Sequence, residues 1–152
     1  MPRFKTGAMV KAPGIKIVNA SSFLTSEEKL YMGCGFARDL KIKIPGIDKI
    51  FGGMVLDNGG HLGRYGLLIY EKYGILQTRH CFNGSPNLDL IRFGITRLKM
   101  FAEETGYISN LEYPGIRGTE FGKEKVDPIL GDLPKNVYVW EKEGSRWPTP
   151  QN

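Results

Sequence analysis

Cysteine is scarce in this sequence: Cys34 and Cys81 are the two it holds, and neither has a Cys or His at zinc-finger spacing, although His80 adjoins Cys81. That count and spacing argue against a disulfide framework or a structural zinc centre, so two free thiols in a reducing compartment and no metal are expected. Long apolar runs are missing too. No stretch reaches the roughly 18 to 20 consecutive apolar residues of a membrane span, and residues 1–10 lack the apolar segment of a secretion signal. The expectation is a cytoplasmic protein with no membrane partner. Long blocks of like charge are likewise absent, and with 24% charged residues the composition is that of a globular chain. The excess of basic residues, +5 overall, is scattered in ones and twos, as at Lys41 and Lys43 or Arg92 and Arg97. No helix-turn-helix, RRM or zinc signature accompanies it. Charge of this sign favours encounter with anionic partners, phosphate-bearing small molecules as readily as RNA or DNA.

What is present suits one core: 152 residues, 41% of them hydrophobic and 11% aromatic. Ile15-Lys16-Ile17-Val18 is a β-branched run that ends at the small polar cluster Asn19-Ala20-Ser21-Ser22, which reads as a strand delivering a loop. The loop runs to Gly33-Cys34-Gly35, and Phe36-Ala37-Arg38-Asp39-Leu40 then begins a helix. A glycine-bearing turn into a helix N-terminus suits an anion, because the first N–H groups of a helix lack internal partners. Residues 45–63 carry six glycines and no sustained helical period, and are read as loop with at most one short element. Tyr65-Gly66-Leu67-Leu68-Ile69-Tyr70 and Tyr73-Gly74-Ile75-Leu76-Gln77-Thr78 form an expected antiparallel pair around Glu71-Lys72.

The clearest helix follows, with Ser85 as cap, Pro86 in its first turn, an apolar stripe of Leu88, Ile91, Ile95, Leu98 and Ala102, and Gly106 as stop. Residues 108–113 offer a strand and Pro114-Gly115-Ile116-Arg117-Gly118 a second glycine-bearing turn. The helix around residues 123–130 must be short, late or kinked, because Pro128 cannot sit deep inside it. Asn136-Val137-Tyr138-Val139-Trp140 is a last strand. Strands alternating with helices imply a layered α/β sheet, whose ligands bind at the carboxyl ends of strands, where both glycine turns fall.

Ile17-Val18-Asn19-Ala20 followed by Met32-Gly33-Cys34-Gly35-Phe36-Ala37 resembles the macro domain pattern of a V-N-A strand end, a variable loop and a glycine-rich turn into a helix. Tyr113-Pro114-Gly115-Ile116-Arg117-Gly118 is similar to that family's second phosphate-facing loop. The resemblance spans roughly residues 15–140. It implies a three-layer α/β/α sandwich with a mixed central sheet, a nucleotide-binding domain over residues 1–140 and a C-terminal tail over residues 141–152. The implied ligand is ADP-ribose or a related phosphorylated nucleotide, held without a cofactor. Its implied contacts are Asn19, Ala20, Gly33, Cys34, Gly35 and Phe36 on the first loop, and Pro114, Gly115, Ile116, Arg117 and Gly118 on the second. Glycines there let main-chain N–H groups approach a pyrophosphate that a Cβ would push away. Asn19 is the side chain suited to a distal ribose hydroxyl or a water, and so the candidate for hydrolysis of a bond there. Phe36 either stacks on a ribose or plugs the core. Arg117 either clamps a phosphate or extends into solvent.

Two departures bear on chemistry. No Asp lies in residues 1–18 to contact adenine, and Ser21 and Ser22 stand where catalytic members commonly place a second asparagine. A hydrolase mechanism that relies on that amide does not carry over. His61 near Asp57 is a weak alternative acid–base pair in the glycine-rich stretch. His80 and Cys81, as neighbours on a strand, would point to opposite faces and could not cooperate. The competing function is a basic nucleic-acid-binding or partner-binding module on a degenerate scaffold of the same fold.

Overall fold

The computed structural model describes residues 2–60, 63–115 and 121–141. The elements are β1 (Arg3–Thr6), a 3-10 turn (Met9–Lys11), β2 (Ile15–Ala20), α1 (Gly35–Lys43), α2 (Ile47–Asp57), β3 (Leu67–Tyr70) and β4 (Tyr73–Gln77). Then come α3 (Leu88–Thr105), β5 (Ser109–Glu112), a π-helical turn (Gly122–Val126), α4 (Asp127–Leu130) and β6 (Val137–Glu141). Six strands form one sheet in the order β1-β6-β5-β2-β4-β3. Every neighbouring pair is parallel except β3 and β4. That pair is the expected hairpin, and Glu71 turns it with a left-handed φ of 55°.

Side chains along β2 alternate between two cores. Ile15 and Ile17 join a cluster with α3 and α4, while Val18 and Ala20 join one with α1 and α2. The molecule is therefore a three-layer α/β/α sandwich around a mixed sheet. Asn87, rather than Ser85, caps α3: its side chain accepts the N–H of Leu90 at 3.0 Å, and its own N–H is tied to the carbonyl of Thr78 at 2.7 Å beyond β4. The helix consequently starts at Leu88, and it stops, as expected, at Gly106 with φ 71°. Pro128 sits in the first turn of the four-residue α4, after the π-helical turn, in keeping with a short late helix. Strand β6 runs on through Glu141, which pairs with Thr6.

Residues 45–63 need correction, because most of that stretch is the eleven-residue α2. Its buried face is Ile47, Phe51 and Val55, a four-residue repeat that six glycines obscured. The glycines punctuate and pack rather than unravel it. Gly46 enters with φ 93°, and a Cβ on Gly52 would run into the carbonyl oxygen of Glu28, so the helix lies directly against the loop before α1. A second correction concerns His80 and Cys81: β4 ends at Gln77, so both occupy a loop and both are exposed. The alternating-face argument does not apply to them.

Candidate functional site

Parallel strands β2 and β5 end side by side, and a cleft of about 320 Å³ opens beyond them, closed on its far side by the loop leading into α1. Strand β2 supplies Asn19 and Ala20, β5 supplies Glu112 followed by Gly115, and the loop supplies residues 31–35. Six of the residues singled out from sequence therefore meet in one place: Asn19, Ala20, Gly33, Cys34, Gly35 and Gly115. Phe36 does not line it. Its side chain is 1% exposed, deep in the α1 and α2 core, so it takes the second of the two roles left open for it. Pro114 is buried just ahead of Gly115. Ile116, Arg117, Gly118 and His61 lie outside the described residues, and Asp57, the partner considered for His61, is exposed at the end of α2.

The floor of the cleft is main chain. Cys34 is the N-cap of α1 but makes no side-chain capping bond, and the first turn of the helix contains no acid. The first turn of α1, at the positive end of the helix dipole, is thus left without a capping side chain from Cys34 at the edge of the cleft. Gly33 and Gly35 are glycine for different reasons. A Cβ on Gly33 would collide with the hydroxyl of Tyr31, whereas Gly35 has φ 62°, which L side chains rarely adopt. Gly115, at φ 122°, opens the opposite wall.

Asn19 is held on both sides. Its main-chain N–H donates to Glu112 Oε1 at 2.8 Å and its Nδ2 to the carbonyl of Tyr113 at 2.8 Å, which fixes the amide orientation. Its Oδ1 is buried and has no partner among the described residues. A buried acceptor left unmade costs about 1 to 3 kcal/mol. The strand end is braced from behind by Tyr65, whose hydroxyl donates to the carbonyl of Ser21 at 2.8 Å and whose N–H donates to Gln77 Oε1 at 2.9 Å. Burial pushes the Tyr65 phenol far above its ordinary value, so it stays a neutral donor at any physiological pH. The hydroxyl oxygen of Ser21 accepts the N–H of Phe23 at 3.1 Å, shaping the turn that follows.

Four side chains of the cleft went unread in the sequence. Glu112 is its carboxylate, and Arg79 is the one cation among its described lining residues. Tyr31 and Phe82 form an aromatic wall, with ring centres 4.2 Å apart, and Phe23 packs on Phe82 at 4.9 Å. A signal for Arg79 and Phe82 existed in the pairing of β2 with β4. Ala20 lies opposite Gln77, and the N–H of Thr78 donates to the carbonyl of Ala20 at 3.0 Å, so whatever follows β4 flanks whatever follows β2. Both cysteines are free and exposed, Cys34 within the cleft and Cys81 outside it. Among the described residues no three His, Cys, Asp or Glu side chains cluster as metal ligands would, and no helix is long and apolar enough to cross a membrane. A second hollow, of about 380 Å³, lies by β1 and β6 among Lys5, Lys11, Tyr138 and Trp140, with Lys5 Nζ 5.3 Å from the Tyr138 ring centre.

No protein-family model matches the sequence, and a search of curated proteins finds no match. Solved structures do match. The macrodomain of Thermus aquaticus DarG superimposes with a TM-score of 0.68 at 19% identity, over 94% of this chain and 98% of that one. A macrodomain protein from Streptomyces coelicolor gives 0.60 at 15% identity, over 93% and 99%. Thermosipho africanus DarTG, solved in complex with ADP-ribose, gives 0.68 at 15% identity, with 93% of this chain matched to 41% of that longer one.

Proposed function

From the premise that this chain has the macrodomain fold, we propose that its cleft binds ADP-ribose. The observation that carries the reading is the convergence of two glycine-bearing segments, residues 33–35 and Gly115, on one cleft that also holds Asn19 and Arg79. The Thermosipho relative was solved with that same nucleotide bound. The pyrophosphate lies between the helix α1 amides and the loop at Gly115, where backbone donors and the helix dipole offset its charge. Arg79, which follows β4 on the other side of β2 from Gly115, adds a guanidinium to the lining, a group whose planar fork suits phosphate oxygens. The ribose beyond the pyrophosphate lies against Asn19, whose unpartnered Oδ1 accepts a hydrogen bond from one of its hydroxyls. Ile116, Arg117 and Gly118 continue the second loop and belong to the same proposal.

Binding without turnover is the form proposed. Ser21 follows Ala20 where hydrolysing members commonly present a second amide, and its hydroxyl oxygen is engaged by the N–H of Phe23. The test is titration calorimetry of ADP-ribose into the protein, followed by prolonged incubation with an ADP-ribosylated protein. Saturable heat at micromolar ligand and no released ADP-ribose are expected. The absence of heat at millimolar ligand contradicts the reading.

A further inference from the structure

Val137 and Val139 of β6 enter the core under α3 and α4, so Tyr138 and Trp140 stand on the opposite face of the sheet. The register sets Arg3 of β1 beside Tyr138 and Lys5 beside Trp140, with Asn110 of β5 on the other side of Tyr138. On this face α1 and α2 pack over β2 and β3. Over β1, β6 and β5 the cover is the 3-10 turn and the chain beside it. Between that cover and the strands lies the hollow of about 380 Å³, a volume in the range of small-molecule sites.

The floor of the hollow is fixed. Asn110, 2% exposed, accepts the Nε1–H of Trp140 at 2.9 Å and donates to the carbonyls of Pro13 at 2.8 Å and Ile15 at 3.0 Å. The indole is thereby pinned to β5 and to the chain entering β2. Arg3 donates to the Tyr138 hydroxyl at 3.0 Å, and Lys5 Nζ lies 5.3 Å from the Tyr138 ring centre and 5.9 Å from that of Trp140. The charged groups of the described lining are Lys5 and Lys11, with no carboxylate among them. Positive charge continues past the hollow. Lys43 Nζ donates to the carbonyl of Val10, next to Lys11, at 2.8 Å. Lys16, beside Asn110 in the cross-strand row, is held below its ordinary pKa by burial and then by Lys43 and Lys72. Basic residues scattered in the sequence are thus gathered on one side of the fold.

Aromatic rings with ammonium groups at their rim suit a ligand that joins a flat ring to a phosphate. An acidic peptide would satisfy the lysines and leave the rings unused. A nucleic-acid duplex offers phosphates but keeps its bases stacked inside. A single strand offers a free base and a phosphate at every residue. We propose that this hollow is a second binding site, taken by single-stranded nucleic acid, with one base on Trp140 and Tyr138 and the adjoining phosphates on Lys5 and Lys11. Lys5, long and exposed, swings from the rings to a phosphate as the base enters. The site is separate from the cleft that holds Asn19 and does not depend on the ADP-ribose reading of that cleft.

The experiment is fluorescence anisotropy of a labelled single-stranded oligodeoxynucleotide of about ten residues against the full chain. Wild type is expected to bind it, to weaken about tenfold between about 50 and 200 mM salt, and to keep its affinity when saturated with ADP-ribose. Trp140→Ala is expected to lose about tenfold at every salt concentration, the worth of one stacked base. The double variant K5A/K11A is expected to lose about tenfold at low salt and to flatten the slope of log affinity against log salt by about 1.4, as two lost phosphate contacts would. Should Trp140→Ala fail to fold, K5A/K11A still decides, since both lysines are exposed. Full affinity in K5A/K11A overturns the proposal, as does the absence of binding at the lower salt. So does a duplex, a polyglutamate of matching length or a free nucleoside monophosphate that binds as tightly as the strand. Displacement of the strand by ADP-ribose overturns the separateness of the two sites, and the proposal with it.

Discussion

Asn19 illustrates how one residue links strand, loop and ligand. Two donors on it are used internally, on Glu112 and on the carbonyl of Tyr113, and the acceptor left over is the one a ribose hydroxyl would engage. Asn19→Ala is expected to weaken ADP-ribose binding about tenfold while leaving the melting temperature within a few degrees, checked by calorimetry beside a thermal melt. Gly33 gives a different kind of prediction. The group a new methyl would meet is the far end of the exposed Tyr31 ring, which can swing away. Gly33→Ala is therefore expected to cost less than about 1 kcal/mol of stability but to disturb the aromatic wall and lower affinity, as denaturant unfolding and calorimetry would show in parallel. The residues legible in the sequence were those whose chemistry is local: Asn19 at a strand end, and glycines where a turn enters a helix. Glu112, at the end of β5, and Arg79 and Phe82, in the loop after β4, were not, because nothing near them in the chain says which strand theirs or the preceding one lies beside.

At the scale of elements, α2 shows why composition misleads. A Gly-rich stretch reads as loop because glycine weakens a helix by roughly 1 kcal/mol per interior residue relative to alanine. Tertiary packing overrides that local preference here, since Ile47, Phe51 and Val55 are fully buried and Gly52 allows the helix to touch the main chain at Glu28. Gly52→Ala would ordinarily strengthen a helix. In this protein it is expected to destabilise by about 1 to 3 kcal/mol, because the new methyl meets backbone that cannot swing aside. Phe51→Ala is expected to cost about 3 to 5 kcal/mol through transfer and cavity terms. Chemical denaturation measures both, and an unchanged or raised midpoint for Gly52→Ala would show that α2 does not pack as described. Strands β2 to β6 were readable from β-rich runs between turn residues, and helix α3 from its apolar stripe and the glycine stop at Gly106. The start of α3 was not, because a cap depends on which polar side chain actually reaches an N–H, and Asn87 lies closer than Ser85.

For the whole molecule, the sheet order is what converts scattered motifs into a site. β2 lies between β4 and β5, so loops distant in sequence converge on the strand that carries Asn19. Ligand binding at that junction should stabilise the entire fold. ADP-ribose at about a hundred times its dissociation constant is expected to add about 2.7 kcal/mol, which raises the melting temperature by roughly 5 to 10 °C for a chain of this size. The excess positive charge is not gathered there, since the described lining of the cleft holds one guanidinium and one carboxylate.

Binding as proposed requires main-chain amides at residues 33–36 and at Gly115 to close on one pyrophosphate. Backbone amide chemical shifts, followed by NMR during a titration with ADP-ribose, report on each of those groups separately. The largest shifts are predicted at Gly33, Gly35, Phe36 and Gly115, together with the side-chain amide of Asn19. Shifts that leave those groups unmoved and gather instead around Lys5, Tyr138 and Trp140 would place the nucleotide in the hollow by β1 and β6 and contradict the proposal.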